Sequence, residues 1–269
     1  MTVTLESLLN DRVILPQTIE SLSSIYKVAK PFRHLVIDGM FPSALLARVV
    51  TEVPPTSEDH QTTEGDGEPG GYGPWSATEL GEAGFELTAL LHSAGFLYLL
   101  SELTGIWQLL PDPYLHGSGY HRVLPGADLS VNLDRPDYET GLTRRLSLVI
   151  FLNEDWKPEH GGEFELWNSD GTRRELAVEP VFNRTVILET ADAEYHGVPQ
   201  TAVCPKGRSH NSFTAYYYTA VISGRSEVPP HTSDYAPSFY RRKKSLLREI
   251  LKDVTPPIIA RVLKGTRAG

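Results

Sequence analysis

The sequence predicts a mainly β protein with flanking helices, of barrel or jelly-roll type. Three observations carry this expectation. From Tyr114 to Thr219 the chain is a succession of short strand-like runs, several alternating apolar and polar residues with period two. Well-marked turn sequences separate these runs, and no helical pattern lies between them. Glycine, at 22 residues, and proline, at 20, supply the turns such a core needs.

Taken in order, residues 1–30 read as an N-terminal helical extension, with Leu22, Ile25, Tyr26 and Val28 as a rough apolar face. Pro31 breaks that pattern, and Arg33 to Gly39 reads as a short strand ending in a turn. Phe41-Pro42-Ser43 opens a helix whose apolar face is Leu45, Leu46, Val49 and Val50. Pro54 to Pro74 is rich in Gly, Glu, Asp, Thr and Pro, so residues 54–75 are expected to be a flexible loop or a lid, with Tyr72 and Trp75 closing over a pocket or anchoring its end.

Ser76-Ala77-Thr78-Glu79 has the form of a capping box, and a second helix is expected over Ser93 to Leu103, stopping at Gly105. The expected strands are Tyr114–Leu124, Leu129–Leu133, Leu146–Leu152, Glu163–Trp167, Arg174–Val178, Thr185–Glu189 and Phe213–Ile222. Beyond Ser223 the pattern returns to helices, Ser238 to Lys252 and Ile258 to Leu263, divided by Pro256-Pro257. The organisation is thus a helical extension at 1–30, a β domain at 31–223 and a C-terminal helical extension at 224–269.

Composition narrows the function. A chain of 269 residues can bury a sizeable core. A net charge of −9 argues against nucleic acid as partner, because phosphate binding needs a basic face. The single cysteine, Cys204, fits a reducing compartment. Glu6, Asp11 and Arg12 interrupt the first residues, which argues against a signal peptide, and no apolar run reaches membrane-spanning length. The expectation is a cytoplasmic protein acting on a small molecule, with no membrane or nucleic-acid partner and an open oligomeric state.

One constellation has the spacing of a metal site. Asn132-Leu133-Asp134 ends a strand, and His196 lies several strands further on. Residues two apart on a strand share a face, and two histidines with one carboxylate can hold one face of an octahedral Fe(II). Asp134 and His196 fit two of those three positions, while Asn132 offers a neutral amide oxygen at the third. Taken alone, Asn-x-Asp is most often a turn and a lone histidine is most often structural.

Tyr120 to Leu129, Arg144 through Trp156, Gly161 to Trp167, Tyr195 to Pro199 and Tyr216-Tyr217-Tyr218 together resemble the prolyl 4-hydroxylase-like branch of the 2-oxoglutarate/Fe(II) oxygenases. The resemblance implies a double-stranded β-helix, jelly-roll and cupin-like, with Fe(II) and 2-oxoglutarate as cofactors. It assigns metal binding to Asp134 and His196, with Asn132 standing where the family has its first histidine. It puts His210 where an arginine or lysine pairs with the far carboxylate of 2-oxoglutarate, and Ser212 at the hydroxyl that assists. Arg208 lies close enough in sequence to take over the clamp, and His121, on an adjoining strand, to replace the missing ligand or act in catalysis; simpler roles for the two are a loop arginine and a structural histidine. His160, beside Gly161-Gly162, reads as a turn residue.

Three activities are compatible with these residues. The first is an oxygenase working through an Asn-x-Asp…His site on a small molecule or amino-acid-type substrate. The second is a metal-independent isomerase, cyclase or eliminase in which Asp134, His196, His210 and His121 act as acids and bases. The third is a non-catalytic binding subunit.

Overall fold

The structure, a computed structural model, describes residues 9–10, 12–53, 61–62, 71–75, 79–115, 117–125, 129–134, 141–190, 194–198 and 207–220; at 61–62, 71–74, 129–134 and 194 it describes the backbone alone. All of these belong to one compact unit, residues 1–230. The helices expected beyond Ser223, and most of the stretch at 54–74, lie outside the described residues.

Four helices are described: α1 (Pro16–Val28), α2 (Ser43–Glu52), α3 (Glu82–Leu91) and α4 (Ala94–Thr104). The strands are β1 (His34–Asp38), β2 (Gln61–Thr62), β3 (Gly71–Trp75), β4 (Leu110–Pro111), β5 (Gly119–Val123), β6 (Leu129–Asp134), β7 (Leu142–Phe151), β8 (Phe164–Trp167), β9 (Arg174–Val178), β10 (Arg184–Glu189), β11 (Glu194–Val198) and β12 (His210–Ala220). They form an eight-stranded sheet in the order β1-β10-β7-β12-β5-β3-β2, with β4 also on β12, and a four-stranded sheet in the order β6-β11-β8-β9. Neighbouring strands in this scheme are antiparallel, as the alternating patterns and short turns require. The fold is a double-stranded β-helix, as expected.

Side-chain alternation divides the core in two. On β7, Leu146, Leu148 and Ile150 face the helices together with Phe213, Ala215 and Tyr217 of β12. Val149 and Phe151 face the other way, where they meet Val186 and Leu188 of β10 and Phe164, Leu166 and Val178 of the smaller sheet. That second cluster fills the space between the sheets. Helix and sheet are also tied by a polar contact, the Tyr217 hydroxyl donating to the Leu91 carbonyl at 3.2 Å.

Several local details differ from the sequence reading. In α1 the buried apolar residue is Tyr26, beside the buried Ser23, with Ile19 and Leu22 packed against the core, whereas Ile25 and Val28 are 53% and 74% exposed. The true face follows i, i+3, i+7, because α1 rests on α4 and only one stripe can reach it. Helix α3 begins at Glu82 rather than at the Ser76-Glu79 box. Its cap is tertiary: the Glu52 carboxylate of α2 accepts from the Ala83 N–H at 2.6 Å. Helix α4 does match, with the Ser93 hydroxyl accepting from Phe96 N–H at 3.2 Å and Gly105 ending the helix at φ 75°.

Within the stretch read as a loop or lid, β2 and β3 are strands that extend the larger sheet beyond β5. Trp75 at the end of β3 is fully buried, its ring edge-on to Tyr120 at 5.6 Å between centroids. Gly119 makes this approach possible: its φ is 98°, and a Cβ there would collide with the Trp75 carbonyl oxygen. Strands β4 and β11 were not foreseen. No single helix among the described residues is long and apolar enough to cross a membrane.

Candidate metal and cosubstrate site

The expected site residues come from both sheets. On the smaller sheet, β6 and β11 pair so that His196 stands opposite Asn132 and Glu194 opposite Asp134. Directly opposed residues in an antiparallel pair share a face, and so do residues two apart on one strand. Asn132, Asp134 and His196 therefore occupy one face, brought together by a register that local sequence does not encode. The His196 ring lies 5.6 Å from the Phe164 ring, on the side of the sheet that faces the interior cluster.

The larger sheet carries the remaining candidates. Ser212 of β12 pairs with His121 of β5 on one side and with Phe151 of β7 on the other. His210 is two residues earlier on the same face, opposite Val123. His121, His210 and Ser212 thus line the interior from the sheet opposite Asn132 and Asp134. Arg208 is placed differently. Its guanidinium donates to the Glu154 and Asp155 carbonyls at 3.3 and 3.1 Å, at a cleft of about 400 Å³ shared with Val50 and Thr51 of α2.

His210 is the most enclosed of these groups, 2% exposed. Phe151 and Trp156 stand edge-on to its ring at 5.8 and 5.7 Å between centroids, and Phe164 backs Phe151 at 6.0 Å. Its ring nitrogens meet no side-chain partner, and the Gly162 backbone lies close enough to interact with the ring. Burial pushes its pKa down to about 4, and hydrogen bonding with the Gly162 and His210 backbone opposes this more weakly. His121 keeps part of its surface open, yet protein packs around it densely enough that desolvation brings it down to about 4 as well. Both imidazoles are therefore neutral near pH 7.

The wall around His210 was not read from the sequence as functional. It is built by the turn after β7, where Trp156 donates from Nε1 to the Gly161 carbonyl at 3.0 Å. The buried ring of His160 lies 5.2 Å from Trp156, and its Nδ1 accepts from the Lys157 N–H at 3.3 Å. Gly161 and Gly162 take φ of 61° and 69°, which folds the turn back over β12. At the far end of β12 the Arg144 guanidinium lies over the Tyr216 ring at 3.8 Å. The signal for Phe151 was the alternation of β7, which assigns it to the face opposite Ile150.

The 2OG-Fe(II) oxygenase superfamily matches residues 118–218, the span from β5 through β12. Over that span the chain is similar to that superfamily. Solved structures agree on the fold. A prolyl hydroxylase from Trichoplax adhaerens, in complex with a hypoxia inducible factor peptide fragment, is 15% identical, with a TM-score of 0.52 over 75% of this chain and 91% of that one. A 2OG-Fe(II) oxygenase family oxidoreductase from Burkholderia pseudomallei is 15% identical, with a TM-score of 0.51 over 75% and 89%. A prolyl 4-hydroxylase from Phytophthora capsici is 17% identical, with a TM-score of 0.50 over 90% and 79%. No curated protein matches the chain.

The two groups that an oxygenase-like fold implies fit these residues unequally. Among the described residues no three His, Cys, Asp or Glu side chains converge on one point. The register nevertheless brings a histidine, an aspartate and an asparagine to one face. That donor set suits a divalent iron bound by two protein ligands and one weak oxygen donor. At the other end, among the described residues, the larger sheet offers a carboxylate only neutral groups, the buried His210 imidazole and the Ser212 hydroxyl, a weaker fit than a cation would give.

Proposed function

We propose that this oxygenase-like chain is an Fe(II)-dependent enzyme that oxidises a small organic molecule at the smaller sheet's interior face. Asp134 and His196 hold the metal, and Asn132 fills the third protein position as a weak neutral donor. Fe(II), when bound, supplies the activation of dioxygen. The chain's own residues orient the reactants: Phe164 walls the His196 side, and His121 and Ser212 supply neutral hydrogen-bonding groups from the opposite sheet.

The observation that carries this reading is the register of β6 on β11, which sets His196 against Asn132 with Asp134 one step along the same face. A turn-forming Asn-x-Asp and a stray histidine have no reason to meet in this way.

The test is a metal titration of the purified full chain under anaerobic conditions, with Fe(II) and with Mn(II), beside an Asp134→Ala variant. One equivalent of metal in the wild type, lost in the variant, supports the reading. No metal binding by the folded wild type would overturn it and leave metal-free chemistry or a binding role.

A further inference from the structure

Arg208 takes no part in the metal face, and its charge is unanswered. Asn211 alternates with His210 and Ser212 along β12, so it points to the helix side of the larger sheet, outside the space between the sheets. On that side the cleft of about 400 Å³ runs between α2 and the turn after β7. One wall is apolar: the half-buried Ala47, Val50 and Trp156, with the buried Leu152 behind them. The other is polar and carries Arg208 and Asn211. The Arg208 guanidinium spends two N–H groups on the Glu154 and Asp155 carbonyls, and the described residues give it no carboxylate partner. Asn211 Nδ2 donates to the Ser209 carbonyl at 3.1 Å, which uses one of its hydrogens. Asn153, by contrast, is fully used on Asn211 and Pro180.

We propose that this cleft is a binding site for a small monocarboxylate with an apolar body, its carboxylate on Arg208 and Asn211 and its hydrocarbon against Val50 and Trp156. The cleft is of the size that small-molecule sites have. Its open polar groups are donors, so the ligand supplies acceptors, and a carboxylate on a guanidinium makes the stronger, charge-assisted bond. An apolar body then removes Ala47, Val50 and Trp156 from water. Glu154 also borders the cleft, but its side chain is exposed and its charge screened, which disfavours a second negative charge on the ligand more than the first. The two carbonyls that Arg208 holds belong to the turn in which Asp155 takes φ 49°, a left-handed conformation. Trp156 of the same turn stands edge-on to the buried His210 at 5.7 Å between centroids. A ligand in the cleft therefore touches a side chain that also walls the interior.

The experiment is calorimetric titration of the metal-free full chain with 4-methylpentanoate and with its neutral counterpart, 4-methylpentanamide. The expected result is one equivalent of carboxylate bound with a Kd of about 1 mM or tighter, and the amide weaker by at least about tenfold. Two variants place the ligand. Arg208→Gln removes the charge, and Ala47→Trp fills the cleft while leaving Arg208 and its turn intact. Each is expected to weaken the carboxylate by at least about tenfold, with the melting transition retained. Asp134→Ala is expected to bind it as the wild type does, whether or not the proposed metal site exists. No carboxylate binding by the wild type overturns the proposal, and so does equal affinity for the amide. Binding that survives Ala47→Trp, or that is lost in Asp134→Ala, puts the ligand elsewhere and overturns it too. Where Arg208→Gln does not fold, the amide comparison and Ala47→Trp decide.

Discussion

Asn153 holds Asn211 from both sides. Its Oδ1 accepts from the Asn211 N–H at 2.6 Å, and its Nδ2 donates to the Asn211 carbonyl at 3.1 Å and to the Pro180 carbonyl at 2.8 Å. The side chain is 3% exposed, so water cannot substitute for these bonds. This clamp fixes the start of β12, and with it the position of His210.

Asn153→Ala removes all three bonds and leaves the Asn211 N–H and the Pro180 carbonyl without these partners, while the Asn211 carbonyl keeps the Leu152 N–H at 3.1 Å. The expected loss of stability is about 2–4 kcal/mol, since each such group costs roughly 1–3 kcal/mol when left unsatisfied. Urea unfolding measures it. A loss under about 1 kcal/mol would mean that the β7–β12 junction is held by other contacts.

His121 and His210 make the fold sensitive to acid. Both have pKa values depressed to about 4 in the folded chain because burial opposes the charged ring. In the unfolded chain each returns to about 6.5. Their contribution is therefore fully present above about pH 6.5, where both states are neutral, and is lost progressively toward pH 4 as the unfolded chain takes up protons. The slope is about 1.4 kcal/mol per pH unit for each histidine. Unfolding midpoints measured between pH 7 and 5 should fall, with His92, whose pKa burial also lowers, adding to the fall, and His210→Asn should flatten it. Identical slopes in wild type and variant would contradict the burial of His210.

Asn132→His tests the metal face from the opposite direction to Asp134→Ala. Replacing a neutral amide with an imidazole opposite His196 is expected to raise Mn(II) affinity by about tenfold or more. Electron paramagnetic resonance of free Mn(II) reads this directly. Unchanged affinity, with Asp134→Ala still abolishing binding, would show that position 132 does not reach the metal.

Trp75→Ala separates a packed hairpin from a mobile loop. Trp75 is fully buried against Tyr120, so truncation should cost about 3–5 kcal/mol. A loop residue free of the core would cost within about 0.5 kcal/mol. Thermal unfolding distinguishes these results.

The strands and helices with regular patterns were legible in the sequence, and those stabilised from a distance were not. Ser93 caps α4 from the adjacent residue, so its boundary followed from local chemistry. Helix α3 is capped by Glu52, 31 residues away in sequence, so the neighbouring Ser76-Glu79 pattern misled. Strand β3 sits in a stretch whose glycines and prolines read as loop, and it is held as a strand by β5 and by the burial of Trp75. The candidate ligands were legible as a spacing, but their shared face depended on β6 meeting β11 in one register.

By itself, the sequence determined the class of fold, the identity of the chemical groups and the two substitutions, Asn132 and His210, at positions where the resembling family carries other residues. Those are properties of residue type and near-neighbour periodicity. The tertiary structure alone decided that His196 faces Asn132, that Arg208 serves loop carbonyls, and that His210 is neutral among Phe151 and Trp156. The reason is physical. Charge state, solvation and contact across two sheets depend on which distant strands pair and on how much water their packing excludes, and neither is written in any short stretch of chain.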